Sequence, residues 1–221
     1  MTPKALLFDL DGTLLDSDPL HRAVFADMLA PLGIVVDEAY YGSNIHGRHN
    51  VQIFTDLMPG EDAQALDVSK EAAFRDLLAE TPMQPTPGLI ALLDYADTNG
   101  LPTAVATNAC RLNAEAMLAA LGIRDRFAAV IAAEECARTK PAPDVFLAAA
   151  KAVGVEACDT LAFEDSPTGV AAANAAGCCV LGLPSTLTPA QLIAAGAHHV
   201  ITDFTDPALA TLLAAPTGAT P

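Results

Sequence analysis

Asp9 and Asp11 stand two positions apart in LLFDLDGTLLD, directly after a short apolar run. In an extended chain, residues two apart leave on the same side, so both carboxylates face one place. Gly12 then lets the chain turn sharply. Two carboxylates held this close suit a metal ion, or a division of labour between a nucleophile and an acid/base. A solvated turn carrying two acids is the plain alternative. A second acidic pair, Glu164 and Asp165, closes the apolar run TLAF and precedes a Ser-Pro turn. Adjacent acids at a strand end are hard oxygen ligands suited to Mg²⁺. The alternative there is an N-cap Asp beside a solvated Glu.

Two further positions offer polar chemistry. PTAVATNA ends an apolar run in Thr107 and Asn108, both hydrogen-bond donors, and a helix beginning nearby would add backbone N–H groups for an anion. The same residues are also ordinary helix N-caps. In RTKPAPDVF, Lys140 precedes two prolines and a helix start, where proline suits the first turn. A lysine placed there supplies a compact positive charge for phosphate, or is simply a surface lysine.

The elements that must carry these residues show in the hydrophobic pattern. Strands are expected at 5–8, 103–106, 128–131, 160–163, 179–181 and 199–201, separated by Ala-rich helical stretches such as 114–121 and 145–153. Continuous apolar strands alternating with helices imply a doubly wound, Rossmann-like α/β fold, its parallel sheet covered on both faces. In such sheets the C-terminal strand ends form the binding crevice, where the D-x-D, Thr-Asn and Glu-Asp motifs sit. Gly177 and Gly182 read as helix-end and strand-end punctuation. Residues 17–82 differ: helical signals at 19–32, 50–57 and 69–78, and no buried strand. Asp16-Ser17 and TPMQPTPG carry hinge-like turn signals at the two edges. The expected organisation is a core of 1–16 plus 83–221 and an inserted α-helical cap of 17–82, with a mobile tail at AAPTGATP.

Bulk properties narrow the partners. A net charge of −16 over 221 residues argues against nucleic acid and anionic membrane. It also repels an anionic substrate, so local cations drawn from only 11 Lys and Arg must capture one. Five cysteines without C-x-x-C spacing point to reduced thiols. MTPKALLFDLDG lacks the features of a signal peptide, and no apolar stretch has membrane-spanning length. A cytoplasmic monomer or weak homo-oligomer is expected.

In this order (D-x-D-G-T, strand-Thr, Lys-Pro, strand-Glu-Asp) the motifs resemble the haloacid dehalogenase superfamily along nearly the whole chain. FDLDGTLLDSDPLH, KPAPD and FEDSPTGV are most similar to its phosphatase and β-phosphoglucomutase branch with a helical cap. The resemblance implies that Asp9 attacks phosphorus while Asp11 protonates the leaving oxygen and later deprotonates the hydrolytic water. It implies Mg²⁺ held by Asp9, the Asp11 carbonyl and Asp165, with Glu164 in or beside that shell. Thr107 and Asn108 would hold phosphoryl oxygens, and Lys140 would offset charge. With Asp11 protonated, Mg²⁺ and Lys140 balance the three remaining carboxylates, so a phosphate dianion can approach.

Asp11 argues against a dehalogenase proper, which needs no second acid. Lys70, the one lysine of the expected cap, sits in an acid-flanked helical context with no sign of the activation that a phosphonatase lysine requires. SNIHGRHN resembles the branch's substrate-specificity loop, in which Arg48 matches a phosphate-binding arginine and His46, His49 and Asn50 face substrate; a polar loop between helices is the alternative. Asn44 stands where β-phosphoglucomutases carry lysine, which favours a phosphatase acting on a small phosphorylated metabolite, a sugar or polyol phosphate, over a mutase. His21 matches a hinge histidine of the branch. A receiver-like or non-catalytic phosphorylatable protein is the remaining alternative, and the early D-x-D and the 17–82 insertion speak against it.

Overall fold

The protein is described at residues 2–214 by a computed structural model. The expected tail therefore falls, from residue 215 on, outside the described residues. In chain order, β1 (Ala5–Phe8) is followed by α1 (Asp18–Leu29), α2 (Glu38–Asn44), α3 (Asn50–Leu57), α4 (Ala63–Glu80) and α5 (Leu89–Thr98). Next come β2 (Thr103–Ala106), α6 (Arg111–Ala120), β3 (Ala129–Ile131), α7 (Asp144–Ala152) and β4 (Thr160–Glu164). The chain continues through α8 (Pro167–Ala176), β5 (Cys179–Gly182), α9 (Pro189–Ala195), β6 (His199–Val200) and α10 (Ala208–Ala214).

The six strands form one parallel sheet in the order β3-β2-β1-β4-β5-β6. β1 lies between β2 and β4, so the winding reverses direction there. That reversal opens a crevice at the C-terminal strand ends. Strands β1, β2 and β4 are buried along their whole length, as a sheet with helices on both faces requires. One face packs Leu7, Ala104, Ala162 and Val180 against Val145, Phe146 and Ala149 of α7 and Val170 and Ala173 of α8. On the other face, Phe8 stacks on Phe163 at 4.8 Å and meets Phe127 and Phe204 edge-on. The strands keep their expected positions to within one residue, because burial on both faces leaves short apolar runs no other role.

By backbone contacts the chain divides into two compact units, 1–16 with 83–221, and 17–82. The second is built of α1 to α4 around its own core of Phe25, Leu29, Tyr41, Ile45, Ile53 and Phe54. Two helices there are longer or more numerous than the hydrophobic spacing suggests. Asp62 caps α4 by accepting from Gln64 N and Ala65 N, which starts that helix at residue 63 instead of 69. Asp37 accepts from Tyr40 N at 2.8 Å and starts α2. Side-chain caps of this kind satisfy N–H groups that a helix start leaves open. Where the chain returns to the sheet unit, Thr86 N–H donates to Leu14 O and its hydroxyl to Thr13 O, anchoring the return to the β1 turn.

Candidate active site

Asp9 follows β1, and alternation places it on the Leu7 face, where α7 packs. The loop leading into α7 delivers Lys140 to the same place. Its ammonium donates to Asp9 Oδ1 and, at 2.6 Å, to Glu164 Oε1, and lies 5.0 Å from the Phe146 ring centre. The prolines around it precede α7, whose first residue is Asp144, so Pro143 occupies the N-cap. Asn108, at the end of β2, accepts from Lys140 N–H through its side-chain oxygen at 3.0 Å. The lysine's backbone is thus tied to β2 while its charged end reaches β1 and β4.

Glu164 is fully buried. Its second oxygen, Oε2, accepts from Asp165 N, Ser166 N and Ser166 Oγ at 3.0–3.1 Å. Ser166 also caps α8, accepting from Gly169 N, with Pro167 in the first helical position. A β-carbon on Gly169 would fall 1.7 Å from Glu164 Oε1, so this position requires glycine. The other buried acid, Asp165, receives Ser185 Oγ at 2.6 Å and Thr13 Oγ1 at 3.4 Å. Gly12, at φ 77°, passes so close that a β-carbon there would lie 2.1 Å from Asp165 Oδ2. The glycine after D-x-D therefore serves a close approach as well as a turn.

One carboxylate oxygen from each of Asp9, Glu164 and Asp165 falls within a 4.8 Å group, and all three residues are buried. Three carboxylates against one ammonium leave two negative charges away from water, a costly state unless a cation or protons compensate. The titration behaviour reflects this deficit. Burial pushes Asp9 well above the ordinary carboxylate range, with Lys140 opposing and Glu164 and Asp165 adding. Burial, then the Glu164 charge, push Asp165 up to about 7, against the Ser185 hydrogen bond. Burial works against the Lys140 charge, but Asp9 and Glu164 outweigh it and raise the lysine. The donor set is all hard oxygen, so these residues fit a small divalent cation such as Mg²⁺.

The family model for haloacid dehalogenase-like hydrolases matches residues 3–177, spanning every residue of this group. The chain belongs to the haloacid dehalogenase-like hydrolases. It is 34% identical over 203 residues to protein CbbY of Rhodobacter capsulatus, covering 85% of this chain and 88% of that protein. It is 36% identical over 175 residues to the fructose-1-phosphate phosphatase YqaB of Escherichia coli, covering 78% and 92%. Among solved structures, CbbY from Rhodobacter sphaeroides in complex with phosphate superposes with a TM-score of 0.80 at 28% identity, covering 91% and 95%. The protein is accordingly a phosphoric monoester hydrolase.

In this hydrolase the remaining candidates are placed as follows. Thr107 is buried at the end of β2, its hydroxyl accepting from Ala109 N–H at 2.9 Å. The helix beyond it, α6, starts three residues past Asn108, and its first N–H, that of Arg111, donates to Glu134 at 2.7 Å. Asp11 is half-buried, in the turn where it bridges to Leu15. Ser43 and Asn44 close α2, and Asn50 opens α3, so only Ile45–His49 of the SNIHGRHN segment form a loop. Arg48 donates to Asn44 O at 3.0 Å and pairs with Asp56. His46 lies 3.5 Å from Asp18, which also accepts from Tyr41 OH. Exposed His49 precedes α3. Asn50 donates to Asp67 and Glu71 of α4, a tie between helices.

His21 stacks on Phe74 at 4.1 Å, and its Nδ1 meets the Lys70 ammonium at 2.8 Å. An ammonium only donates, so Nδ1 accepts and the ring proton sits on Nε2. Lys70 itself is 2% exposed and also donates to Glu71, a burial that helical spacing did not signal. The residues that sequence reasoning missed are Ser185, Thr13, Ser166 and Gly169. The serine-proline-glycine spacing of an N-cap is the signal that marks Ser166 and Gly169. Ser185 has none, since it arrives from a separate loop.

Proposed function

We propose that the protein is an Mg²⁺-dependent phosphatase that hydrolyses a small phosphorylated metabolite, a sugar or polyol phosphate, through an aspartyl-phosphate on Asp9. The observation that carries this reading is the buried group of Asp9, Glu164 and Asp165 around Lys140. Asp9, Asp165, the Asp11 carbonyl and Glu164 are the groups assigned to the cation. When bound, Mg²⁺ supplies the positive charge that draws a phosphate dianion into an otherwise anionic site and stabilises charge on its oxygens.

In the first step, Asp9 Oδ attacks phosphorus, the P–O bond to the leaving alcohol breaks, and Asp11 delivers its proton to that oxygen. In the second, Asp11 takes a proton from water, whose oxygen attacks phosphorus and releases Asp9. Thr107 supports the transfer because its hydroxyl oxygen already accepts from Ala109, which leaves the O–H to donate to a phosphoryl oxygen. Lys140, held by two carboxylates and by Asn108, contributes a fixed positive charge. Electrostatic stabilisation of this kind dominates phosphoryl transfer.

Substrate recognition is assigned to His21, His46, Arg48 and His49 of the helical unit, with Asn50 as a further candidate. YqaB and the hexitol phosphatase A of Escherichia coli, 36% and 31% identical to this chain, support a sugar or polyol phosphate. A β-phosphoglucomutase would need cations for a second phosphate. Besides Arg48, Arg22 and Lys70 each already face an acid, Glu38 and Glu71, which favours the phosphatase. The test is phosphate release from a panel of sugar and polyol phosphates, with Mg²⁺ or EDTA, by wild type and Asp9→Asn. Release that needs Mg²⁺ and vanishes in the variant is expected. Interconversion of glucose 1- and 6-phosphates without net release would replace the reading with the mutase, and release surviving in Asp9→Asn would refute the aspartyl-phosphate.

A further inference from the structure

We infer that Ser185 is a positioning residue for the cation: its hydroxyl fixes the Asp165 carboxylate in the orientation that receives Mg²⁺. The inference rests on the Mg²⁺ reading above and extends it to a residue outside every motif of the family resemblance.

A carboxylate on a single side-chain bond turns broadly about that bond, so its direction depends on what holds its oxygens. Two hydroxyls reach Asp165. Thr13 Oγ1 stands 3.4 Å from Oδ1, at the outer limit for a hydrogen bond, whereas Ser185 Oγ stands 2.6 Å from Oδ2. An O–H···O contact at that distance is at the short end of hydrogen bonds, and it becomes charge-assisted when a cation displaces the Asp165 proton. Gly12 lies beside the same oxygen, close enough that a β-carbon there would fall 2.1 Å from it, so Oδ2 lies between the glycine and the serine hydroxyl. Rotation of the carboxylate would break the serine bond.

The loop that brings Ser185 is itself registered on the acidic pair. Leu183 N–H donates to Glu164 O at 2.8 Å, and Ser185 N–H donates to Leu183 O at 3.0 Å. The end of β5 therefore grips β4 through its backbone at Glu164 and through a side chain at Asp165. Ser185 is an exposed residue and fills no part of the hydrophobic core, so its hydroxyl can be removed at little cost to the fold. What its removal takes away is the restraint on Asp165.

The experiment is titration calorimetry of Mg²⁺ into the EDTA-stripped, dialysed full chain, for wild type, Ser185→Ala, Ser185→Thr and the neighbouring control Thr186→Ala. Each protein is also assayed for the Mg²⁺ dependence of phosphate release. Outer-shell partners of metal ligands are typically worth 10–100-fold in affinity, so Ser185→Ala is expected to bind Mg²⁺ at least about tenfold more weakly. Its kcat at saturating Mg²⁺ should return to within a few-fold of wild type, Ser185→Thr should recover most of the affinity, and Thr186→Ala should match wild type. Unchanged Mg²⁺ affinity in Ser185→Ala overturns the inference while leaving the metal reading intact. A wild type that binds no Mg²⁺ and releases phosphate in EDTA overturns the metal reading, and the inference with it.

Discussion

Lys140 and Glu164, 24 residues apart in the chain, meet at 2.6 Å with both side chains almost wholly removed from water. The same ammonium also donates to Asp9, so one lysine joins the ends of β1 and β4. Breaking a buried pair leaves an uncompensated charge and costs far more than losing a surface ion pair. The lysine is therefore both a structural tie and the fixed cation of the site.

Lys140→Ala should lose stability, because two buried carboxylates lose their ammonium, and the folded protein should lose most turnover. At an effective dielectric of ~20, a charge pair about 4 Å apart is worth about 4 kcal/mol, or roughly a thousandfold in rate. Phosphate release at saturating Mg²⁺ measures it, and near-wild-type kcat would refute the assigned role.

Two glycines should respond oppositely to alanine. At Gly169 the added methyl would overlap the Glu164 carboxylate, and overpacking of this kind costs about 1–3 kcal/mol. Gly42, inside α2, has open space around its Cβ direction and no left-handed backbone. Gly42→Ala is expected to gain up to about 1 kcal/mol from helix propensity. Urea melts of both variants, with activity alongside, check the contrast; an active, stable Gly169→Ala would show that Glu164 can move freely.

The metal-free protein should lose stability as pH rises toward neutrality. Asp165 is raised from 3.8 to about 7 by burial. Between those values the folded protein holds a proton that the unfolded chain has released. Its contribution is therefore complete below the lower value and is lost as pH climbs through the upper one, at about 1.4 kcal/mol per pH unit for one proton. A cation bound at the carboxylate replaces that proton. The melting-temperature difference between Mg²⁺ and EDTA samples should widen from pH 5 to 7 and then level off; a difference that does not vary with pH would contradict this.

Asn50→Ala tests a residue that faces two assignments. Its amide donates to Asp67 and Glu71, joining α3 to α4. Removing it leaves two acids short of a donor, a loss of about 1–3 kcal/mol. Thermal denaturation should show that loss while KM at permissive temperature stays near wild type. Unchanged stability with a raised KM would instead place Asn50 against substrate.

The strands, their parallel arrangement and the acids at their ends were legible in the sequence, because a continuous apolar run ending in carboxylates has few other physical explanations. Asp9, Lys140, Glu164 and Asp165 could be nominated from order and spacing alone, since each sits where an apolar run stops or a proline-marked helix begins. The start of α4 and the existence of α2 were missed for a local reason. Their caps, Asp62 and Asp37, lie outside the hydrophobic periodicity that reveals a helix. Other features depend on distances between residues far apart in the chain, which no local pattern encodes. Ser185 reaches Asp165 only because β5 lies beside β4, and Gly169 must be glycine only because α8 turns back over the Glu164 carboxylate. Lys70 reads as an acid-flanked helical lysine, and its burial shows only when α1 brings His21 against it. Residue type and spacing determined which groups stand as candidates for the chemistry, whereas the packing of strands and helices decided how each group is held, because burial and hydrogen-bond geometry arise only when the elements meet.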